Sequence, residues 1–306
     1  MEYRDQPVKT ALQRVKGMPF AWSLNPYRGC RHACIYCYAR IYHSYIGYED
    51  PADFDRVVLY KRDLPDRLRT ELLARSQPLE GEIAIGTATD PYQPLEAKEG
   101  ITRRLLEVLL EAGRPVSITT KSPLVARDID LLRRFASYGG LRVNMTVTVL
   151  DEQLWRLLEP MTPRPDARIA ALRTLGDAGI PTSVFLAPVV PYIGEAEAIA
   201  VLGAAKDAGA GHAMVGLLRL SPGVREWLLP RLRAQLPEQT AELERLYGRR
   251  DTVAQREATR ILAPIRSLRR VADLDRPPCA LRPREELTLF GDPHGGLPAQ
   301  HATPTG

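Results

Sequence analysis

Three cysteines fall within eight residues, Cys30, Cys34 and Cys37, directly after the run Asn25-Pro-Tyr-Arg-Gly29. Thiolates are metal ligands, and three of them can hold a cubane iron–sulfur cluster by three of its four irons. The fourth iron is then open to something other than protein. An open iron beside a bound organic molecule is a place for chemistry, whereas a cluster held entirely by cysteine mainly moves electrons. Gly29 lets the backbone turn closely around such a group. The competing reading is a structural zinc ion, which normally takes four protein ligands. Cys279 or His32 could supply the fourth. Only four cysteines occur in the 306 residues. That distribution suits a metal site in a reducing cytoplasm, not a disulfide framework.

The elements that must position this loop follow from the hydrophobic pattern. The cysteine loop follows a first strand near Ala21–Leu24. Gly81–Gly86 (GEIAIG) reads as a strand that ends at Thr87-Ala-Thr89-Asp90, and Ile101–Ala112 as an amphipathic helix stopped by Gly113. Strands follow at Pro115–Lys121, Arg142–Leu150, Pro181–Val190 and His212–Leu220. They alternate with helices at Asp128–Tyr138, Pro165–Ala178 and Glu195–Ala208. This alternation predicts an α/β fold, a parallel sheet with crossover helices. About six β/α units make a partial, open barrel rather than a closed eightfold one. Residues 1–19 read as an N-terminal extension and 20–220 as the barrel core. Helices expected at Trp227–Leu236, Thr240–Tyr247 and Arg249–Ala263 belong to a helical and irregular C-terminal extension over 221–290. The Gly-, Pro-, His- and Thr-rich residues 291–306 read as a disordered tail.

Composition bounds the partners. Lys plus Arg exceeds Asp plus Glu by 42 − 37 = 5, an excess that permits nucleic-acid binding without showing it. The charged N-terminus has no apolar signal-peptide core, and no run reaches membrane-spanning length.

The pattern NPYRGCRHACIYCYAR over residues 25–40, with ATDPYQPLE over 88–96, resembles the radical S-adenosylmethionine superfamily. Within that superfamily it looks like the spore photoproduct lyase branch, over about residues 20 to 220. The resemblance implies a 4Fe-4S cluster held by Cys30, Cys34 and Cys37, with S-adenosylmethionine on the open iron. One electron would cleave its sulfonium bond to give methionine and a 5′-deoxyadenosyl radical that takes a hydrogen atom from the substrate. Tyr36 matches the aromatic residue near the adenine, with loop packing as its alternative role. Barrel active sites gather at the carboxyl ends of strands. Thr87, Thr89, Asp90 and Lys121 at such ends are candidates for the methionine amino and carboxylate groups, although Asp90-Pro-Tyr-Gln could simply be a turn. Thr146 and Thr148, two apart on one strand face, are candidates for ribose. Tyr92, Gln93 and Glu96 read as supporting or substrate-facing residues. His212, at the entrance of its strand, does not read as catalytic.

The branch implies repair of a pyrimidine photoproduct in damaged DNA, with a flavodoxin or ferredoxin as electron donor and a monomer favoured. Candidate phosphate contacts are Arg31, Arg40, Arg127, Arg164, Arg219, Arg249 and Arg250, with Arg269 and Arg270 beside them. Arginines on helix surfaces are also ordinary. One departure matters: the lyase has a further cysteine, between the cluster and the central strands, as hydrogen donor, and this chain has none there. Cys279, Tyr38 or Tyr92 would have to serve, or the reaction differs. The alternatives are modification of RNA or a peptide, or a nucleic-acid-binding protein with a structural cluster or zinc.

Overall fold

The computed structural model describes residues 1–76, 79–276 and 280–284. Cys279 and the tail over 291–306 lie outside the described residues. Ten strands run in chain order: β1 (Glu2–Asp5), β2 (Gln13–Arg14), β3 (Trp22–Leu24), β4 (Tyr27–Arg28), β5 (Val57–Tyr60), β6 (Ile83–Ile85), β7 (Val116–Thr120), β8 (Leu141–Thr146), β9 (Thr182–Val189) and β10 (His212–Leu217). The main sheet has the order β10-β9-β8-β7-β6-β3-β2. Its six strands from β3 to β10 are mutually parallel, and β2 closes one edge in antiparallel sense. This is the expected six-unit open barrel. A small second sheet, β1-β5-β4, sits beside the cysteine loop.

The sheet forms because its strands carry β-branched and other apolar residues buried on both faces, as helix-covered parallel strands require. Ile83 pairs with Val116, Ile118 with Val143, and Met145 with Val184, and all six are fully buried. Each such side chain contributes roughly 1.5–3 kcal/mol on burial. The helix Ile101–Glu111 buries Ile101, Leu105, Leu106 and Leu109 at helical spacing against this layer.

Several expected boundaries move. The strand expected over Arg142–Leu150 ends at Thr146. Beyond it the Leu150 and Asp151 N–H groups are taken by Glu197 Oε2, at 2.6 and 2.8 Å, so no ladder forms. The last strand stops at Leu217, with a register shift after Val215. The charged helix expected over Arg249–Ala263 instead spans Gln255–Val271 and carries Pro264 inside it. The helix expected from Trp227 begins at Pro222, where a proline suits the first turn. Among the described residues, no helix is long and apolar enough to cross a membrane.

Candidate functional site

The cysteine loop leaves the carboxyl end of β3 and is pinned to its neighbours before any ligand is considered. Asn25 Nδ2 donates to Ser23 Oγ at 2.8 Å and to Thr87 Oγ1 at 3.1 Å, and its Oδ1 accepts from the Ala88 N–H at 3.0 Å. Lys61 Nζ donates to the Asn25 carbonyl at 2.7 Å. Burial, and then the charge of Arg28, lowers the Lys61 pKa to about 8. Gln93 is fully buried and bridges the turn, accepting from Arg31 N–H at 3.0 Å and donating to Gly29 O at 3.2 Å. Gly29 has φ +79, and a Cβ there would lie 2.5 Å from Val57 O and 2.8 Å from Phe54 O. Gly29→Ala is therefore expected to destabilise the protein by about 2–5 kcal/mol and to lower its iron uptake. Denaturant titration and metal analysis check this, and a variant as stable and as well loaded as wild type would refute the close-approach argument.

Cys30 and Cys34 are buried and Cys37 is half-buried. Cys30 Sγ accepts backbone N–H bonds from Asp90 and His32, and Cys37 Sγ accepts them from Ala39 and Arg40. Cys34 instead lies near Lys121, Glu159 and Arg168. Burial pushes the Cys30 and Cys37 thiols above their ordinary range and the Cys34 thiol up to about 12. Buried thiols of this kind ionise when a metal takes the place of the proton. Among the described residues, no three His, Cys, Asp or Glu side chains converge on one point as ligands of a single ion. A cubane offers separate irons to separate sulfurs, so the three-thiol donor set fits it.

Asp90 ties this loop to two strand ends. Its Oδ1 accepts from Tyr92 N–H at 2.9 Å and Thr120 Oγ1 at 2.7 Å. Its Oδ2 accepts from Lys121 N–H at 2.6 Å and lies 3.3 Å from His32 Nδ1. Burial pushes its carboxyl up, but His32 and these donors outweigh burial and lower its pKa to about 2. The Asp90 side chain is thus committed to the protein. The same holds for the hydroxyls of Thr87, bonded to Ser23 and Asn25, and of Thr89, which donates to Tyr27 O at 3.1 Å.

A second buried network backs the Cys34 side. Glu159, fully buried, accepts from the Tyr36 hydroxyl, from Thr148 Oγ1 at 2.9 Å and from Arg168 Nη1 at 2.5 Å. Lys121 Nζ is 3.9 Å from Glu159 and 5.7 Å from the Tyr36 ring centroid. Burial pushes Glu159 up, but Arg168 and then Lys121 and Tyr36 outweigh it and hold its pKa near about 2. For Lys121, burial is outweighed by Cys34 and Glu159, so its pKa is raised. Tyr36, Lys121 and Thr148 come together here. Thr146 contributes its carbonyl, which accepts from Arg168 at 3.3 Å. Glu159, Arg168 and Asn25 were not singled out from sequence.

Several sequence candidates have other places. Tyr92 is fully buried and its hydroxyl donates to Asp128 at 3.0 Å, which removes it from the substrate side. Arg40 is buried under the loop, bonded to Asp55 and to Cys34 O and stacked on Trp227, so it is not a rim residue. Arg127 is held by Glu96 and Asp128. Arg269 donates to Ala213 O, near the amino end of β10 and away from the site. Tyr38 is half exposed and its hydroxyl donates to Thr87 O, at the rim. Arg31 is half-buried, while Arg164, Arg219, Arg249 and Arg250 are exposed. Arg164 is held by Glu152 and Asp166, and Arg219 lies 3.9 Å from Asp251.

The family model described as "Radical SAM superfamily" matches residues 24–205. A protein of Mycobacterium tuberculosis described as uncharacterised is 35% identical over 246 residues, 79% of this chain and 72% of its own. One of Methanocaldococcus jannaschii, likewise described, is 34% identical over 176 residues, 58% of this chain and 63% of its own. Among solved structures, spore photoproduct lyase complexed with dinucleoside spore photoproduct has a TM-score of 0.63 at 16% identity. The match covers 88% of this chain and 79% of that one. A variant of that lyase with bound AdoMet matches equally well. These structural matches are a likeness of fold.

Proposed function

The chain belongs to the radical SAM superfamily, and from that premise we propose that it is a lyase acting on a pyrimidine photoproduct in DNA. The superfamily uses a 4Fe-4S cluster and S-adenosylmethionine. When bound, that pair supplies reductive cleavage of the sulfonium and a 5′-deoxyadenosyl radical able to take a hydrogen atom from the substrate.

In this reading Cys30, Cys34 and Cys37 hold the cluster, and the bonded framework around them does the rest. Asn25, Gln93 and Asp90 fix the loop against β3, β6 and β7. Lys121 presents an ammonium, steadied by Glu159, for a carboxylate. Tyr36, anchored by its hydroxyl to Glu159, offers its ring as a wall for the adenine. Thr87, Thr89, Thr146 and Thr148 contribute backbone groups and remaining lone pairs. Val149, Leu158, Val190 and Leu218 pack around Cys34 and Tyr36 and exclude water. Tyr38 is the phenol at the rim, and it gives a hydrogen atom to the product radical in place of the missing cysteine; the phenoxyl radical left on Tyr38 takes one electron from the flavodoxin or ferredoxin donor and one proton from solvent to restore the phenol.

The observation that carries the reading is the buried three-thiol loop at the carboxyl end of a six-stranded parallel sheet. The lyase whose fold it shares has been solved complexed with dinucleoside spore photoproduct. Exposed Arg219, Arg249 and Arg250 lie together, since Leu220 N–H bonds Asp251 O at 2.8 Å, and they suit a phosphate rim. The test is anaerobic reconstitution followed by incubation with oligonucleotides that carry defined photolesions, with RNA and peptides as controls. Lesion loss coupled to 5′-deoxyadenosine formation is expected. Formation of 5′-deoxyadenosine driven by RNA or peptide alone would overturn the DNA assignment.

A further inference from the structure

The short helix Tyr38–Ile46 is amphipathic in the inverted sense. Arg40 and His43 face inward, where Arg40 holds Cys34 O and His43 Nε2 meets Val57 O at 3.0 Å. Tyr38, Ile41, Tyr42 and Tyr45 face outward and are 51%, 47%, 44% and 74% exposed. The rings form a chain: Tyr38 and Tyr42 have centroids 6.2 Å apart at 86°, and Tyr42 and Tyr45 are 6.2 Å apart at 33°. Packing of the fold uses the polar inner face, so the outward aromatic face is left for something else.

The stripe begins at the site. Tyr38 follows Cys37 and bonds Thr87 O, and Thr87 is bonded to Asn25. Lys61 holds the carbonyl of that same Asn25, with Arg28 close enough to repel its charge. Among the described residues neither Lys61 nor Arg28 has a carboxylate partner. Glu49 and Asp50 lie beyond Tyr45, so the cationic end of the strip is the end at the cysteine loop. A row of partly exposed aromatic rings that leads to cations without a carboxylate partner matches a polymer of alternating flat bases and phosphates. An apolar protein surface would leave the cations unanswered.

We propose that Tyr38, Tyr42 and Tyr45 form a stacking platform for the bases of a single-stranded nucleic-acid segment, whose phosphates Lys61 and Arg28 hold where it enters the site. This rests on the nucleic-acid part of the function proposed above and adds where the strand lies.

The test is fluorescence anisotropy of a short fluorescein-labelled oligothymidylate with full-length, cluster-loaded protein across a salt series. Tyr42→Ala and Tyr45→Ala are each expected to weaken binding about tenfold, the effect of one lost base–aromatic stack. Tyr42→Phe and Tyr45→Phe keep the ring and should keep the affinity. Lys61→Gln and Arg28→Gln should each flatten the salt slope by about 0.7. Tyr42 and Tyr45 are exposed, so their alanine variants should melt with wild type by circular dichroism. Alanine variants that bind as tightly as wild type would overturn the platform, as would a wild-type protein that binds no oligonucleotide. Equal competition by polyglutamate would also overturn it. The readout is independent of turnover. Weakened binding in the alanine variants with no photolesion converted leaves the platform standing and sinks the lesion assignment. Lesion conversion with unchanged oligothymidylate binding in those variants does the reverse.

Discussion

Cys34→Ser protein is expected to remain folded, to take up almost no iron–sulfur cluster and to form no 5′-deoxyadenosine. Serine nearly matches cysteine in volume, so the buried loop keeps its shape. The hydroxyl is a poor replacement for a thiolate towards iron, and two remaining sulfurs leave the cube with two unheld corners. Cys34 is the most exacting of the three positions. Its sulfur lies near Lys121, Glu159 and Arg168 rather than in a cradle of N–H groups, and Glu159 and Arg168 are fully buried. Anaerobic reconstitution should load about four irons per wild-type chain and less than about one per variant chain. Visible absorbance and metal analysis read this, and chromatography reads 5′-deoxyadenosine. A variant with full iron content and wild-type cleavage would remove Cys34 from the site.

Glu159→Ala should have the second largest effect, this time on the fold itself. It leaves the fully buried Arg168 guanidinium without its carboxylate and frees Tyr36, Thr148 and Lys121 at once. Breaking a buried pair by removing one partner costs about 3–5 kcal/mol. An independent reading comes from titration. The carboxyl of Glu159 is held near about 2 in the folded protein, against an ordinary 4.5. The unfolded chain therefore binds the proton more readily between these values. The stabilisation is fully present above about pH 4.5 and is lost as the pH falls towards 2, about 3 kcal/mol in all. Wild-type apoprotein should thus lose stability steeply in that window, and Glu159→Ala should start lower and fall less. Parallel pH profiles for the two proteins would show that Glu159 does not carry the charge assigned to it.

The cysteine loop and the six parallel strands were legible because each rests on local pattern. Thiol spacing needs no tertiary knowledge, and β-branched runs closed by glycine declare themselves. What stayed hidden was set by contacts distant in sequence. Glu159 reads as one more acidic residue at a helix end; only the approach of Arg168 and Lys121 makes it central. Asn25 reads as a turn residue until its amide meets Thr87, 62 positions away. Arg40 reads from sequence as a candidate phosphate contact. Its stacking on Trp227, from the helix Pro222–Arg233, decides otherwise. Tyr92 reads as a hydrogen-carrier candidate by residue type, and the buried Asp128 claims its hydroxyl. The 3-10 helix Tyr38–Ile46 and the strand Val57–Tyr60 escaped notice because neither has a long periodic signal.

The six-stranded wall is not joined into a tube: among the described residues no ladder links β10 to β2. An open sheet must guard its outer strand, and here the segment after the last helix does so: the Ala213 N–H on β10 bonds Leu274 O at 2.9 Å, which occupies a position that a second chain could otherwise pair with.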